Sequence, residues 1–120
     1  IYDIVLEAQK RCVESARAGM TGKELDAIAR DYIKEKGYGE YFKHGTGHGL
    51  GLDVHEAPHV SAMYDKPLEI GACVTIEPGI YIEGLGGVRI EDDVILDEYG
   101  CVVLNKFPKQ FIMIKQWHSY

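Results

Sequence analysis

The chain is 120 residues long, enough for one domain with one hydrophobic core. It is 46% hydrophobic and 27% charged, and none of its apolar runs approaches the roughly 18 residues of a membrane-spanning helix, so a membrane partner is excluded from the reading. A net charge of −6 without a Lys/Arg stripe argues against nucleic acid. Cys12, Cys73 and Cys101, odd in number and far apart, read as reduced thiols of a cytoplasmic protein rather than a disulfide framework.

Residues 3–18 place Ile4, Val5, Ala8, Cys12, Val13 and Ala16 at helical spacing, with Gly19 as the stop. A second helix follows, capped by Thr21 or Gly22. Glu24 completes a capping box from Thr21, Leu25, Ile28, Ala29, Tyr32 and Ile33 form the apolar face, and Gly37 ends it. The short turn between them predicts antiparallel packing. Residues 39–61 are too rich in glycine to hold a helix. Short apolar runs then follow at 72–76, 80–82, 88–90, 94–96 and 101–104. Turn signals at Pro78-Gly79, Gly84–Gly87 and Asp97–Gly100 separate them, as expected of a mostly antiparallel sheet. Two helices followed by such a sheet make an α+β domain.

The stretch from Lys43 to Glu56 carries His44, His48 and His55 among four glycines, and acidic segments around Glu77 and Glu91 follow it. Imidazole and carboxylate together suit zinc, manganese, iron or cobalt, and glycine lets the backbone approach closely. His44 and His48 would share a helix face, but the glycines exclude a helix, and in extended chain they stand roughly 13 Å apart. One is therefore expected to bind metal and the other to sit behind the ligands or on the substrate, although either alone suits a structural role equally well. His55 is a candidate proton donor or carbonyl polariser, and His59 reads as a solvated loop residue. Arg89, Glu91 and Asp93 share one face of a strand, which alone would be an ordinary charged outer face. If Glu77 and Glu91 meet across neighbouring strands, their like charges need a cation or a proton between them, and Arg89 would orient them from behind.

In this order, His44-Gly45-Thr46-Gly47-His48-Gly49-Leu50-Gly51-Leu52-Asp53-Val54-His55-Glu56, then Thr75-Ile76-Glu77-Pro78-Gly79-Ile80-Tyr81, then Gly86-Gly87-Val88-Arg89-Ile90-Glu91-Asp92-Asp93-Val94, the motifs closely resemble the pita-bread metallopeptidases. Within that family they resemble the prolidase and aminopeptidase P branch, over nearly the whole chain to about residue 112. Methionine aminopeptidases share fewer of these elements. The resemblance implies hydrolysis of the Xaa-Pro bond in a proline-containing peptide by two divalent ions (manganese, cobalt or zinc) held by five side chains. It implies His48, Glu77 and Glu91 as three of those ligands, Glu77 also moving protons. It further implies Arg89 as their brace, His55 as the residue stabilising the tetrahedral intermediate, and His44 as an outer pocket histidine.

The family's other two ligands are aspartates upstream of the first helix, and Asp3, Asp26, Asp31 and Asp53 do not stand in matching contexts. The chain opens without methionine inside a helical pattern. Residues 1–120 are thus expected to be the carboxy-terminal part of a catalytic domain, inactive alone and holding at most one ion weakly. Half of a pseudo-symmetric sheet would expose an apolar face and an edge, so self-association into a homo-oligomer is expected. The rival reading is a non-catalytic pita-bread module that binds proteins or peptides.

Overall fold

A computed structural model describes residues 1–50 and 58–105. His55, Asp53 and the apolar tail lie outside these residues. Helices α1 (Tyr2–Ser15) and α2 (Gly22–Glu35) are followed by a single 3-10 turn at Gly39–Tyr41. Among the described residues seven short strands accompany them: β1 (Gly47–His48), β2 (His59–Val60), β3 (Cys73–Ile76), β4 (Gly79–Ile82), β5 (Gly86–Arg89), β6 (Asp92–Leu96) and β7 (Cys101–Val103). This is the expected α+β order. No helix among the described residues is long and apolar enough to cross a membrane.

The second helix begins as its sequence requires. Thr21 Oγ1 accepts from the Glu24 amide at 3.0 Å, and Glu24 Oε1 accepts from the Thr21 amide at 3.1 Å. Gly37, at φ 90°, closes the other end in the left-handed region. The first helix stops at Ser15, short of the expected residue 18. Tertiary partners take the amides that another turn would use: Ala18 donates to the Asp97 carbonyl and Gly19 to that of Leu68, both at 2.8 Å. The helices lie side by side, with the Cys12 thiol on the Leu25 carbonyl at 3.5 Å and the Arg11 guanidinium over the Tyr32 ring at 4.1 Å.

All strand pairs are antiparallel: β1 with β2, β3 with β6, β6 with β7, and β4 with β5. The core between helices and strands is built from Val5, Ala8, Cys12, Leu25, Ala29 and Ile33 against Val74, Ile76, Ile80, Val94 and Leu96. Two strands differ from expectation. The turn signal at Gly84–Gly87 narrows to residues 83–85, and Gly86 and Gly87 join β5 opposite Ile82 and Tyr81. The continuous strand that would carry Arg89, Glu91 and Asp93 on one face is interrupted at Ile90–Glu91, so Arg89 belongs to β5 and Asp93 to β6.

The interruption preserves the pairing register. In β3–β6 the partners run from Cys73↔Ile95 to Ile76↔Asp92, and in β4–β5 from Gly79↔Arg89 to Ile82↔Gly86. Both sets belong to one register, so the four strands are a single hairpin broken midway. Pro78 has no amide to give the ladder there, although its carbonyl still accepts from the Ile90 amide at 3.3 Å.

Candidate metal centre

The break in the hairpin is where the acidic candidates sit. One step beyond Ile76↔Asp92, the shared register sets Glu77 opposite Glu91. Burial, and after it the neighbouring Glu77 and Asp93 carboxylates, push the Glu91 carboxyl above the ordinary glutamate range, while Arg89 and His48 act in the opposite sense. Among the described residues, the buried Asp93 Oδ1 has no hydrogen-bond partner.

Imidazole reaches the same place through β1. That strand lies on β3: the His48 amide donates to Thr75 Oγ1 at 3.0 Å, and the Glu77 amide donates to the Thr46 carbonyl at 2.6 Å. Thr75 is buried because β1 covers it. A Cβ on Gly47 would fall 1.7 Å from the Thr75 carbonyl oxygen, so glycine is required for this approach. His48 Nδ1 contacts the Gly49 carbonyl at 3.0 Å, leaving Nε2 3.6 Å from Glu77 Oε2. Arg89 Nε stands 3.8 Å from Glu77 Oε1. Because His48 is 53% and Arg89 52% exposed while Glu77 is 15%, these pairs orient the carboxylate more than they stabilise the fold.

His44, His48, His59, Glu77, Tyr81 and Arg89 border one open concavity of about 700 Å³. His44 stands edge-on to Phe42 and to Tyr81, with ring centroids 5.0 and 5.4 Å away. Its Nδ1 meets the Gly45 carbonyl at 2.7 Å, and its buried Nε2 has no partner among the described residues. His59 is exposed as expected, but it lies on β2 directly across from His48 rather than in a loop. Sequence reasoning missed this because a two-residue strand shows no periodicity. It also passed over Tyr81, whose hydroxyl hydrogen-bonds to Arg89 and is pushed above its ordinary range, chiefly by burial. Among the described residues, no three His, Cys, Asp or Glu side chains close around a common centre.

The model of metallopeptidase family M24 matches residues 1–98. The chain belongs to this family. It is 57% identical over 112 residues to the Xaa-Pro dipeptidase of Pyrococcus furiosus, covering 93% of this chain and 32% of that protein. An Xaa-Pro dipeptidase structure from Bacillus anthracis superposes with TM-score 0.88 at 61% identity, covering 93% of this chain and 32% of that one. An X-Pro aminopeptidase from Thermotoga maritima superposes at 0.86 with 54% identity, over 92% and 31% of the two chains. The chain thus has the pita-bread fold of the prolidase and aminopeptidase P branch, and spans about a third of the length of these M24 relatives.

The local donor set fits a borderline divalent ion. One imidazole nitrogen faces a carboxylate, and a second carboxyl, registered opposite, is pushed above its ordinary range by burial and then by its acidic neighbours, a charge crowding that a positive ion would relieve.

Proposed function

We propose that the protein bearing this chain hydrolyses the peptide bond before proline, as an Xaa-Pro dipeptidase or aminopeptidase P. Residues 1–120 would form the carboxy-terminal part of its catalytic domain. The observation that carries this reading is the interrupted hairpin, whose single register brings Glu77 against Glu91 beside the His48 imidazole. His48, Glu77 and Glu91 would hold divalent metal (manganese, cobalt or zinc), which when bound supplies Lewis-acid charge and an activated water. Two ions served by five side chains require donors beyond these three, and this segment alone would hold one ion at most.

The chain's own groups account for the remaining steps. Glu77, with Arg89 against one oxygen and His48 against the other, is placed to take a proton from the attacking water and return it to the departing proline nitrogen. The unpartnered His44 Nε2 is available to a peptide carbonyl or terminus in the concavity, and Tyr81 fixes the ring edge-on. His55 would stabilise the tetrahedral intermediate. The free Cys12, Cys73 and Cys101 thiols support a cytoplasmic setting. Exposed Ile95, Val102, Val103 and Leu104 along the β6–β7 edge support self-association.

The deciding experiment compares hydrolysis of Xaa-Pro dipeptides, Xaa-Pro-Yaa peptides and Ala-Ala by full-length protein with manganese, cobalt or zinc, and with chelator. Metal-dependent release from a proline substrate is expected, and it should vanish in Glu91→Gln. Equal rates with chelator, or no hydrolysis under any condition, would overturn the proposal. The rival reading is a non-catalytic peptide-binding module. Peptide binding unaffected by metal and without turnover would establish it.

A further inference from the structure

Beside the candidate site, a half-buried ion pair on α2 has a connectivity that packing alone does not require. Asp26 is 1% exposed and receives Arg30 Nε at 2.7 Å and Nη2 at 3.2 Å. The same carboxylate accepts from the Thr46 amide at 3.0 Å and from the Thr46 hydroxyl at 2.8 Å. Arg30 also donates Nη1 to the Phe42 carbonyl at 2.9 Å and Nη2 to the His44 carbonyl at 2.7 Å, and its guanidinium lies 4.2 Å over the Phe42 ring. The histidine segment is thus gripped at residues 42, 44 and 46, every second position. Side chains of a helix serve it as a neighbouring strand would.

We propose that Asp26 and Arg30 form a positioning clamp that sets the placement of His44, His48 and Glu77 relative to one another. The linkage is continuous. Arg30 holds the His44 carbonyl, Asp26 holds both donors of Thr46, and the Thr46 carbonyl receives the Glu77 amide at 2.6 Å. Two residues further on, the His48 amide is fixed by Thr75 Oγ1. Displacing the clamp therefore moves an imidazole backbone and the backbone of its acidic neighbour together. With Asp26 buried and Arg30 28% exposed, such a pair adds little net stability over apolar side chains of the same volume, so its value here is geometric. Neither residue faces substrate; both act through the segment they hold. Any effect on turnover rests on the peptidase reading, whereas the effect on geometry does not.

The test is site-resolved amide hydrogen exchange in the metal-free chain, with turnover measured separately in the full-length protein. Arg30→Met should raise exchange at Thr46 and Glu77 by about tenfold, the loss of roughly one hydrogen bond, with much smaller changes at Ala8 and Cys12 in α1. Arg30→Lys, which keeps the charge but not the fork, should fall between. In full-length protein the same variants should lower kcat by about tenfold, with KM changed less than about twofold. Should Arg30→Met fail to fold, Thr46→Val removes one link and leaves the ion pair intact; faster exchange at Glu77, restored by Thr46→Ser, is then expected. Unchanged exchange at Thr46 and Glu77, or an equal rise at Ala8 and Cys12, would overturn the clamp. If wild type shows no Xaa-Pro hydrolysis, the peptidase reading falls while the exchange measurement still decides the clamp.

Discussion

Gly47→Ala isolates what the glycine-rich segment does mechanically. The added Cβ would stand 1.7 Å from the Thr75 carbonyl oxygen, 2.6 Å from its carbonyl carbon and 2.9 Å from its Oγ1. Two of these are backbone atoms of a buried strand, so no side-chain rotation relieves the clash. Normal contact near 3.5 Å requires β1 to lift from β3 by about 1.5–2 Å. Such a shift breaks the Glu77 amide bond to Thr46 and the His48 amide bond to Thr75, each contributing about 1 kcal/mol. Residual overpacking adds about 1–3 kcal/mol, for a total of roughly 3–5 kcal/mol. In urea unfolding the midpoint should fall by about 1–3 M with an unchanged slope. Gly45→Ala is the internal comparison: its Cβ would meet Ser61 Cβ at 3.1 Å and the Val60 oxygen at 3.2 Å, contacts that small shifts relieve, for a loss of about 1 kcal/mol. A Gly47→Ala protein as stable as Gly45→Ala would refute the close approach of β1 to β3.

Thr21→Ala removes the capping hydroxyl of α2 and should cost about 1 kcal/mol, read as a lower melting temperature, with Thr21→Ser nearly neutral. Gln9→Leu withdraws the amide that donates to Asp92 Oδ2 at 2.6 Å inside the core, and a loss of about 1–3 kcal/mol in urea unfolding is expected. No loss there would mean that α1 does not hold β6 through this contact. Burial pushes the Cys12 thiol from 9.0 up to about 12. A thiol harder to ionise when folded stabilises fully below pH 9, and that contribution is lost as pH rises from 9 to 12, by up to about 4 kcal/mol. Urea midpoints should fall over this range in wild type and much less in Cys12→Ala; parallel curves would rule out Cys12 as the cause.

Local chemistry made the helices legible. The Thr21–Glu24 capping box and the Gly37 stop act within a few residues and appear as the spacing implies. The apolar runs likewise located most of β3 to β7, since alternation and turn residues are also local signals. Long-range contacts decided the rest. Nothing in the sequence singles out Asp26 with Arg30, four apart on a helix; they join a largely buried network only because residues 42–46 lie across them. The end of α1 moved because carbonyls of Leu68 and Asp97 claimed its next amides. His59 reads as loop until β1 arrives as its partner.

The placement of the acidic pair shows why this bend is better explained by function than by stability. In a regular antiparallel ladder, Glu77 and Glu91 would be direct cross-strand neighbours of like charge, an unfavourable pairing. Aligning opposite charges or apolar side chains at those positions would remove the penalty. Instead, Pro78 interrupts the ladder at the next step, β1 brings an imidazole to one carboxylate, and the other carboxyl is pushed above its ordinary range. Each feature is a local departure from the most stable arrangement, and all of them fall within two steps of one register. Under the metallopeptidase reading proposed above, departures concentrated in this way are ones that a bound cation would relieve, whereas a purely structural hairpin would scatter or lack them.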